Sequence, residues 1–339
     1  SWLPSRIAAV ARRGGPCGRR ESTVVGAFPP GGVVMAIVIS NRALRRLVLA
    51  MVAYWLAKKL YNRAVNGARR VRGKRVLVTG GAGGIGIEAA RAFAKAGAAA
   101  VVLWDVNREA LAEAEAKLRE EFGPRCEVHG YAVDLSKRES VYEVAERVKV
   151  EVGTIDVLVN NAGIVSGASL LDLPDAKIVK TFEVNTISHF WTVKAFLPGM
   201  IEAGGGHIVT VASVAGVFAA PNLTDYCASK FAARGFTEAL RLELIKNKSN
   251  VRVSCVCPGH VDTGLFKGFK TLLPTLSPSY VARRILQVVM DDQPLAYLPW
   301  LVYAAAHAQT ILPIWVGDIL NKFMGVTTCM DGFVSTKAD

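Results

Sequence analysis

The sequence predicts a doubly wound parallel α/β sheet, in a single domain that follows a basic and apolar N-terminal segment. After residue 74, short β-branched apolar runs alternate with helical patterns, which is typical of a parallel sheet with helices on both faces. The first apolar run also ends in a glycine-rich turn that leads into a helical pattern. We find no internal repeat and no second globular region, so residues 71–339 are assigned to one domain.

Seven strands and the helices between them follow from this pattern in chain order. The strands are expected at 75–79, 100–104, 127–133, 156–160, 206–212, 251–256 and 295–298. The helices include 109–122, 141–152 and 228–245. Open parallel sheets bind ligands outside the carboxyl ends of their strands. Functional residues are therefore expected in the turns that follow the strands.

The turn after the first strand is rich in glycine. Thr79 and Gly80 end the strand, and Gly84, Ile85 and Gly86 lead into the helix. Glycines let a pyrophosphate approach the backbone at the positive end of the helix dipole. Taken alone, the run could equally be a glycine-rich surface loop, because a lone glycine fingerprint is a weak signal.

The second strand strengthens the interpretation as a dinucleotide site. It ends at Asp105, nineteen residues after Gly86, where such a unit places the acid that binds the ribose hydroxyls. A carboxylate there repels a 2′-phosphate, so the sequence favours NAD over NADP. Arg108 is close enough in sequence to weaken this preference. The alternative for Asp105 is an ordinary turn residue at the end of a strand.

A proton-transfer pair lies further along the chain. Tyr226 and Lys230 are four residues apart, which places them on one face of a helix. The ordinary pKa of a phenol is about 10, and a neighbouring ammonium favours the phenolate. We therefore expect Lys230 to lower the pKa of Tyr226. The spacing is common by chance, and it gains weight from Ser213, thirteen residues before Tyr226, and from the glycine turn.

Residues from about 74 to 264 resemble the short-chain dehydrogenase/reductase family in six motifs that stand in the family's order. Beside the Tyr226 and Lys230 pair, the matching positions are Thr79, Gly80, Gly84 and Gly86, then Asp134, Asn160 to Gly163, Asn185, Ser213, Pro258 and Gly259, with Val261 and Thr263. The resemblance implies a Rossmann-type fold and a nicotinamide cofactor. The expected cofactor-binding residues are Thr79, Gly80, Gly84, Ile85, Gly86, Asp105, Asp134, Leu135, Asn161, Ala162, Gly163, Tyr226, Lys230, Pro258, Gly259, Val261 and Thr263.

The resemblance also implies a role for each catalytic position. Tyr226 would be the general base, and Lys230 would bind the nicotinamide ribose. Ser213 would hold the substrate oxygen through a hydrogen bond. Asn185 would order a water that links Lys230 to solvent. Taken singly, Ser213 could be a helix cap and Asn185 a buried turn residue.

Within the family, the chain resembles the membrane-associated retinol and steroid branch through residues 103–107, 189–198, 226–231 and 328–330. This implies an NAD-dependent oxidoreductase that interconverts a lipophilic alcohol and its ketone or aldehyde, with all-trans-retinol and retinal as the first expectation. A 17β-hydroxysteroid or fatty-alcohol dehydrogenase is the alternative on the same machinery. A catalytically idle lipid-surface scaffold is a third hypothesis, against which the intact catalytic set argues.

The positive charge of the chain is concentrated at its N-terminal end. Residues 1–75 hold 16 of the 41 Lys and Arg residues but one of the 28 acids, which leaves the remainder with a net charge of −2. A nearly neutral domain argues against nucleic acid as a partner, and a basic segment favours a membrane surface or targeting. The six cysteines and five histidines form no ligand cluster, so we expect no metal site and a reduced compartment.

The N-terminal segment has two parts. Residues 1–34 are interpreted as a disordered or non-physiological extension before Met35, with a mitochondrial transit peptide as the competing interpretation. Residues 35–70 are expected to associate with a membrane. Their apolar run 47–57 would span roughly 16 Å as a helix, which favours a monotopic anchor over a tilted spanning helix or a buried helix.

The resemblance to the membrane-associated branch implies the endoplasmic reticulum membrane or the lipid droplet as the location, with the catalytic domain facing the cytosol. Mitochondria are the alternative, because the extension is rich in Arg.

The C-terminal part, residues 264–320, is strongly apolar. Residues 264–279 correspond to the family's substrate loop and carry large apolar side chains, which suits a lipid alcohol. Residues 293–317 contain no Asp, Glu, Lys or Arg, but three prolines argue against a spanning helix. We predict an amphipathic element that borders the substrate entrance and touches lipid. A capping helix or the contact of a homodimer are the alternatives.

Overall fold

The structure is a computed structural model that describes residues 41–61, 70–266, 268–269, 274–323 and 325–333. The predicted extension 1–34 lies outside the described residues, as does part of the expected membrane-associating segment. The chain divides into two units, the first ending at Leu60 and the second beginning at Tyr61. Apart from its last residue, helix α1 (Asn41–Tyr61) belongs to the first unit.

The second unit is built on a parallel sheet. Its strands are β1 (Arg75–Thr79), β2 (Ala100–Asp105), β3 (Glu127–Ala132), β4 (Val157–Asn160), β5 (Gly206–Val211), β6 (Val251–Pro258) and β7 (Leu295–Leu298). Within the described residues these seven strands pair in the order β3-β2-β1-β4-β5-β6-β7, and every pairing is parallel. Strands β2 and β3 lie on one side of β1, and β4 to β7 lie on its other side. The order of the strands therefore switches between β1 and β4, and a doubly wound sheet binds its ligand at this switch point.

Helices cover both faces of the sheet. They are α2 (Gly84–Lys95), α3 (Arg108–Phe122), α4 (Arg138–Glu151), α5 (Asp175–Phe182), α6 (Ser188–Glu202), α7 (Thr224–Lys246), α8 (Pro278–Asp291), α9 (Leu301–Ile311) and α10 (Ile314–Phe323). Helices α2, α3 and α8 pack on one face, and α4, α6 and α7 pack on the other.

Two hydrophobic cores result, because successive residues of a strand point to opposite faces. In β1, Val76 and Val78 are buried against α2 and α8, together with Phe93. Leu77, between them, is buried in the second core with Phe196 of α6. Burial on both faces explains why the strands read as continuous apolar runs rather than as alternating ones.

The predicted doubly wound parallel sheet is confirmed. Each expected strand is present, and the observed ends lie within two residues of the expected ones. The three predicted helices begin up to four residues earlier than expected. Helices α3 and α4 begin with exposed charged residues, so their apolar periodicity starts only after them. In α7 this difference matters, because Tyr226 lies in the first turn of the helix rather than before it.

Helix α1 extends the predicted apolar run in both directions. Large apolar side chains along it are exposed to solvent, among them Leu49 at 67% and Met51 at 63%. Across the part of the chain that the structure describes, no helix has both the length and the apolar character needed to cross a bilayer. Association of this segment with a membrane stays a prediction.

Two helices, α9 and α10, follow the last strand. Pro299 and Pro313 lie just before them, where the missing N–H of proline costs no helical hydrogen bond. Several large apolar side chains here are exposed: Trp300, Leu301, Ile311, Leu312, Ile314, Trp315 and Ile319. Contact of this region with lipid or with a second subunit stays a prediction.

Candidate active site

A cavity of about 550 Å³ opens at the carboxyl ends of β1, β4, β5 and β6. Most residues expected at the cofactor site and the catalytic centre line it: Gly80, Gly84, Ile85, Asp105, Asp134, Leu135, Asn161, Ala162, Gly163, Ser213, Tyr226, Lys230, Pro258, Gly259, Val261 and Thr263. Three expected residues, Thr79, Gly86 and Asn185, are buried behind this lining. The fold thus brings all of the expected residues to one place.

The glycine turn has room for a phosphate because side chains are absent from it. A Cβ at Gly86 would lie 1.9 Å from the carbonyl oxygen of Gly80, so only glycine fits there. Gly80 and Gly84 have φ of +63° and +44°, a left-handed conformation that glycine adopts readily. Helix α2 begins at Gly84, and its unpaired first N–H groups favour an anion. The turn fits the pyrophosphate of a dinucleotide.

Thr79 ties the glycine turn to the loop after β4. Its Oγ1 accepts hydrogen bonds from the backbone N–H groups of Asn161 at 3.0 Å and Ala162 at 3.1 Å. The Asn161 side chain donates back to the carbonyl oxygen of Thr79 at 3.0 Å. Thr79 therefore shapes the cavity from behind instead of lining it.

Asp105 ends β2 with its carboxylate turned toward the glycine turn. Its two oxygens accept backbone hydrogen bonds from Ala82 and Asn107, each at 3.1 Å. These bonds hold one negative charge at the edge of the cavity, beside Val106.

Asp134 meets a cation that the sequence analysis did not identify. Both of its carboxylate oxygens lie 3.2 Å from Nζ of Lys180, which comes from α5 and also lines the cavity. Hydrogen bonds from Ser136 and this ion pair outweigh burial and lower the pKa of Asp134. Asp134 is therefore charged at neutral pH, and the pair closes the side of the cavity near β3.

Ser213, Tyr226 and Lys230, which are the expected catalytic residues, form one wall of the cavity, here named the catalytic wall after that expectation. Ser213 follows β5, and its Oγ accepts a hydrogen bond from the Ala215 N–H at 3.1 Å, so it also caps the short turn after the strand. Ser213 Oγ also donates to the Pro258 carbonyl at 3.4 Å. Nζ of Lys230 donates to the Val211 carbonyl at 3.2 Å and lies 5.7 Å from the centre of the Tyr226 ring.

The expectation that Lys230 lowers the pKa of Tyr226 is wrong for this structure. Burial raises the pKa of Tyr226 to about 12, and the neighbouring Ser213 hydroxyl opposes this only in part. Burial likewise lowers the pKa of Lys230 to about 8, although the thiols of Cys255 and Cys257 oppose it. The sequence places the ammonium on the correct face of the helix. The sequence does not show that both side chains are almost fully buried. Burial disfavours the charged form of each group.

Asn185 holds the loop after β4. It lies in a π-helical turn, Glu183–Ile187, between α5 and α6; such turns are frequent at functional sites. Its Oδ1 accepts from the Ile164 N–H at 2.8 Å, and its Nδ2 donates to the Ile164 carbonyl and to Ser229 Oγ, both at 3.0 Å. The side-chain amide is therefore occupied by protein partners. The role of Asn185 in ordering a water stays a prediction.

An apolar wall closes the other end of the cavity. Leu265 and Phe266 line it, and the Phe266 ring stands edge-on to Tyr226 with ring centres 5.4 Å apart. His260 and Phe269 pack against the same ring, with centres 6.2 and 5.8 Å away. The predicted apolar substrate loop is thus in contact with Tyr226, the expected general base.

Several lining residues were absent from the predicted site: Gly83, Val106, Val133, Ile164, Lys180, Val184, Val211 and Ala212. Most of them are neighbours of predicted residues at the ends of strands, and this adjacency could have identified them. Lys180 and Val184 are different, because α5 and the π-helical turn bring them in from the side. Among the residues that the structure describes, no group of His, Cys, Asp and Glu is placed to hold a metal ion.

The fold, the glycine turn and the catalytic wall together define a nicotinamide-dependent oxidoreductase that acts on CH–OH groups. The chain belongs to the short chain dehydrogenase family, whose model matches residues 74–271. It is 43% identical to epidermal retinol dehydrogenase 2 of Mus musculus, over 79% of this chain and 88% of the mouse protein. It is 38% identical to retinol dehydrogenase 10 of Homo sapiens, over 90% of this chain and 95% of the human protein.

Solved structures show the same fold. A short chain dehydrogenase/reductase from Burkholderia phymatum in complex with NAD has a TM-score of 0.66 and 26% identity, covering 75% of this chain and 96% of that one. L-sorbose reductase from Gluconobacter frateurii, complexed with NADPH and L-sorbose, has a TM-score of 0.61 and 28% identity, covering 67% and 95%. The resemblance to this family and to its retinol dehydrogenases is therefore confirmed.

Proposed function

We propose that this protein interconverts a lipophilic alcohol and its carbonyl compound with NAD, and that all-trans-retinol and retinal are its substrate pair. The observation that carries the proposal is the shared cavity. Tyr226, Ser213 and Lys230 stand between a cradle for pyrophosphate and an apolar wall that contains Leu265 and Phe266. Relatives that are named retinol dehydrogenases cover most of the chain and support the choice of substrate.

The catalytic wall supplies proton transfer and orientation. Ser213 hydrogen-bonds the substrate oxygen and holds it beside Tyr226. In reduction, the Tyr226 phenol, which its raised pKa keeps protonated, donates its proton to the oxygen as the alcohol forms; oxidation is the reverse transfer, from the alcohol to the Tyr226 oxygen. The glycine turn and Lys230 would hold the nicotinamide cofactor, which would supply hydride transfer at the alcohol carbon. Lys230, buried next to the Tyr226 ring, holds the nicotinamide ribose and supplies positive charge while its ammonium persists.

The preference for NAD is proposed from Asp105. Its carboxylate is held at the edge of the cavity by two backbone N–H groups, where it would accept from ribose hydroxyls and repel a 2′-phosphate. Replacing Asp105 by Asn removes the charge and keeps the size. We expect the ratio of kcat/KM with NAD to that with NADP to fall by about tenfold or more. Glu109→Gln, on exposed α3 nearby, is the matched control and should leave the ratio unchanged.

Association with a membrane surface is proposed for the same enzyme, at the endoplasmic reticulum or the lipid droplet. The exposed tryptophans Trp300 and Trp315, at 75% and 64%, are residues that favour the boundary between lipid and water. Replacing both by Ser should reduce the fraction that floats with phosphatidylcholine vesicles. Val150→Ser, at an 86% exposed position on α4, is the control. Equal flotation of the double variant and the wild type would exclude this surface, and a change of oligomeric state instead would favour a dimer contact.

The decisive experiment measures turnover of the full chain in phosphatidylcholine vesicles, with NAD and NADP, on all-trans-retinol and estradiol in parallel. Retinol oxidation with NAD is the expected result. Turnover of the steroid alone would replace the retinoid proposal by a hydroxysteroid dehydrogenase. If neither substrate reacts while NAD still binds, the retinoid proposal fails, and fatty alcohols become the next substrates to test.

A further inference from the structure

The C-terminal tail segment, defined as residues 326–333, packs behind the active-site cavity, in the apolar cluster that contains Tyr226. It begins with a short helical turn, Val326–Thr328. Cys329 and Met330 follow, each only 4% exposed, and they share one apolar cluster with Tyr226. Their neighbours Thr328 and Asp331 are exposed, so the burial is confined to the two side chains that lie in the cluster with Tyr226.

Two glycines leave room for the tail segment because they have no side chain. A Cβ at Gly167 would lie 2.1 Å from the ring of Phe333, and a Cβ at Gly268 would lie 1.8 Å from the carbonyl oxygen of Gly332. Both glycines also have positive φ, +70° and +80°. Any other residue at either position would strain the backbone and displace the tail segment. The loop after β4 and the substrate loop thus each have a close contact with this segment.

The contact reaches Tyr226 through a second aromatic ring. The centre of the Phe333 ring lies 6.2 Å from that of Phe266, in an edge-on arrangement. Phe266 is in turn edge-on to Tyr226 at 5.4 Å and lines the cavity. Phe333 is absent from that lining. Its ring contact with Phe266 is therefore an indirect route by which it can influence a substrate.

We propose that the tail segment is a positioning element of the substrate site. Phe333, seated on Gly167, holds Phe266 against Tyr226, and this fixes the apolar wall along which the hydrocarbon part of the substrate lies. The inference rests on the proposed function, because it assumes an apolar alcohol. The tail segment then governs the binding of long apolar substrates and leaves proton transfer by Tyr226 unchanged.

The test is Phe333→Ala in the full chain, assayed on a series of primary alcohols of increasing length. We expect the KM for long alcohols to rise by about two- to tenfold, since an edge-to-face pair contributes about 0.5–1.5 kcal/mol. The kcat for short alcohols and the Kd for NAD should stay unchanged. Phe333→Leu, which keeps the apolar volume, should recover part of the loss. Phe190→Ala is the matched control. It also removes a ring contact, because the rings of Phe190 and Phe236 lie 4.4 Å apart, and neither residue lines the cavity.

A double variant tests whether Phe333 acts through Phe266. The KM of Phe266→Ala with Phe333→Ala should equal that of Phe266→Ala alone, because the second truncation has no ring left to position. Additive effects would overturn the route through Phe266. Equal KM profiles of Phe333→Ala and the wild type would overturn the inference as a whole, as would a uniform loss of kcat on all alcohols.

The failure of the proposed function is separable from the failure of the inference. If the wild type oxidises no alcohol, the proposed function is wrong. The inference is then decided by binding, with the fluorescence of all-trans-retinol as the probe. Weaker binding to Phe333→Ala than to the wild type and to Phe190→Ala supports the tail segment as a positioning element. Equal binding to all three overturns it.

Discussion

The two ends of the cavity are held together by different forces. The cofactor end consists of the glycine turn, Thr79 to Gly86, and Asp105, and it depends on backbone hydrogen bonds and on absent side chains. The substrate end consists of Leu265, Phe266, Phe269 and the tail segment, and it depends on aromatic rings in contact. Tyr226 stands where the two ends meet.

This difference follows from what each end must bind. A dinucleotide has the same phosphates and ribose in every enzyme that uses it, so directional hydrogen bonds can be built for it in advance. Apolar substrates differ mainly in length and shape, and apolar pockets discriminate between them by small amounts. Ring contacts can be rearranged by one substitution without loss of the fold. We therefore expect variants at the cofactor end to disable the enzyme and variants at the substrate end to change its preference.

The largest effect is expected where the two ends meet. Tyr226→Phe removes the hydroxyl that exchanges the proton and retains the ring that contacts Phe266. We expect kcat to fall by at least about 100-fold, the lower range of general acid–base catalysis. The Kd for NAD, measured by fluorescence titration, should change by less than about twofold if the cofactor end is independent of the hydroxyl. Retained turnover would remove Tyr226 from the mechanism.

A second variant breaks the cofactor end alone. Gly86→Ala places a Cβ in contact with the Gly80 carbonyl, so the turn must shift. We expect the free energy of unfolding to fall by about 1–3 kcal/mol, together with a loss of NAD binding. Gly235→Ala is the control, because no atom lies within 4 Å of its added Cβ. In the helix interior it should stabilise by about 0.5–1 kcal/mol. Urea denaturation of both variants checks the opposite signs.

The pH dependence distinguishes the two ends further. Burial lowers the pKa of Lys230 to about 8, so its ammonium is present below this pH and is lost above it. We expect the affinity for NAD to fall by about tenfold as the pH rises from 7 to 9, the contribution of one hydrogen bond from a charged group. Phe333→Ala should show the same profile, because it changes only the substrate end. An affinity for NAD that is independent of pH would exclude Lys230 from cofactor binding.

The smallest effect concerns the scaffold beneath both ends. His207 lies in β5 and is bonded to Ser254 at 2.8 Å; burial, with Arg70 and Arg252 nearby, lowers its pKa to about 3. Below about pH 6.5 the His207 side chain binds a proton in the unfolded chain but not in the native state. Stability is therefore lost as the pH falls, by about 1 kcal/mol per histidine from pH 6.5 to 5.5. Unfolding of His207→Gln should show a weaker acid dependence, with turnover at pH 7 unchanged.

The cofactor end could be predicted from the sequence in nearly every residue. The positions of Gly80 and Gly86 could be predicted because local backbone geometry requires glycine there, and that of Asp105 because it ends a strand. The sign of the pKa shift of Tyr226 could not be predicted, since it depends on burial by distant segments. Lys180 was missed for a related reason, because it reaches Asp134 from α5, over forty positions along the chain.

The sequence by itself determined the sheet, its strand order in the chain, the glycine turn and the identity of the residues that meet at the carboxyl edge. Each of these depends on period, spacing and residue type within a short window. Only the tertiary structure decided how the tail segment meets Gly167 and Phe266, and how far Tyr226 and Lys230 are removed from water. Aromatic contact and desolvation depend on which distant side chains become neighbours, and no local pattern in the chain records that.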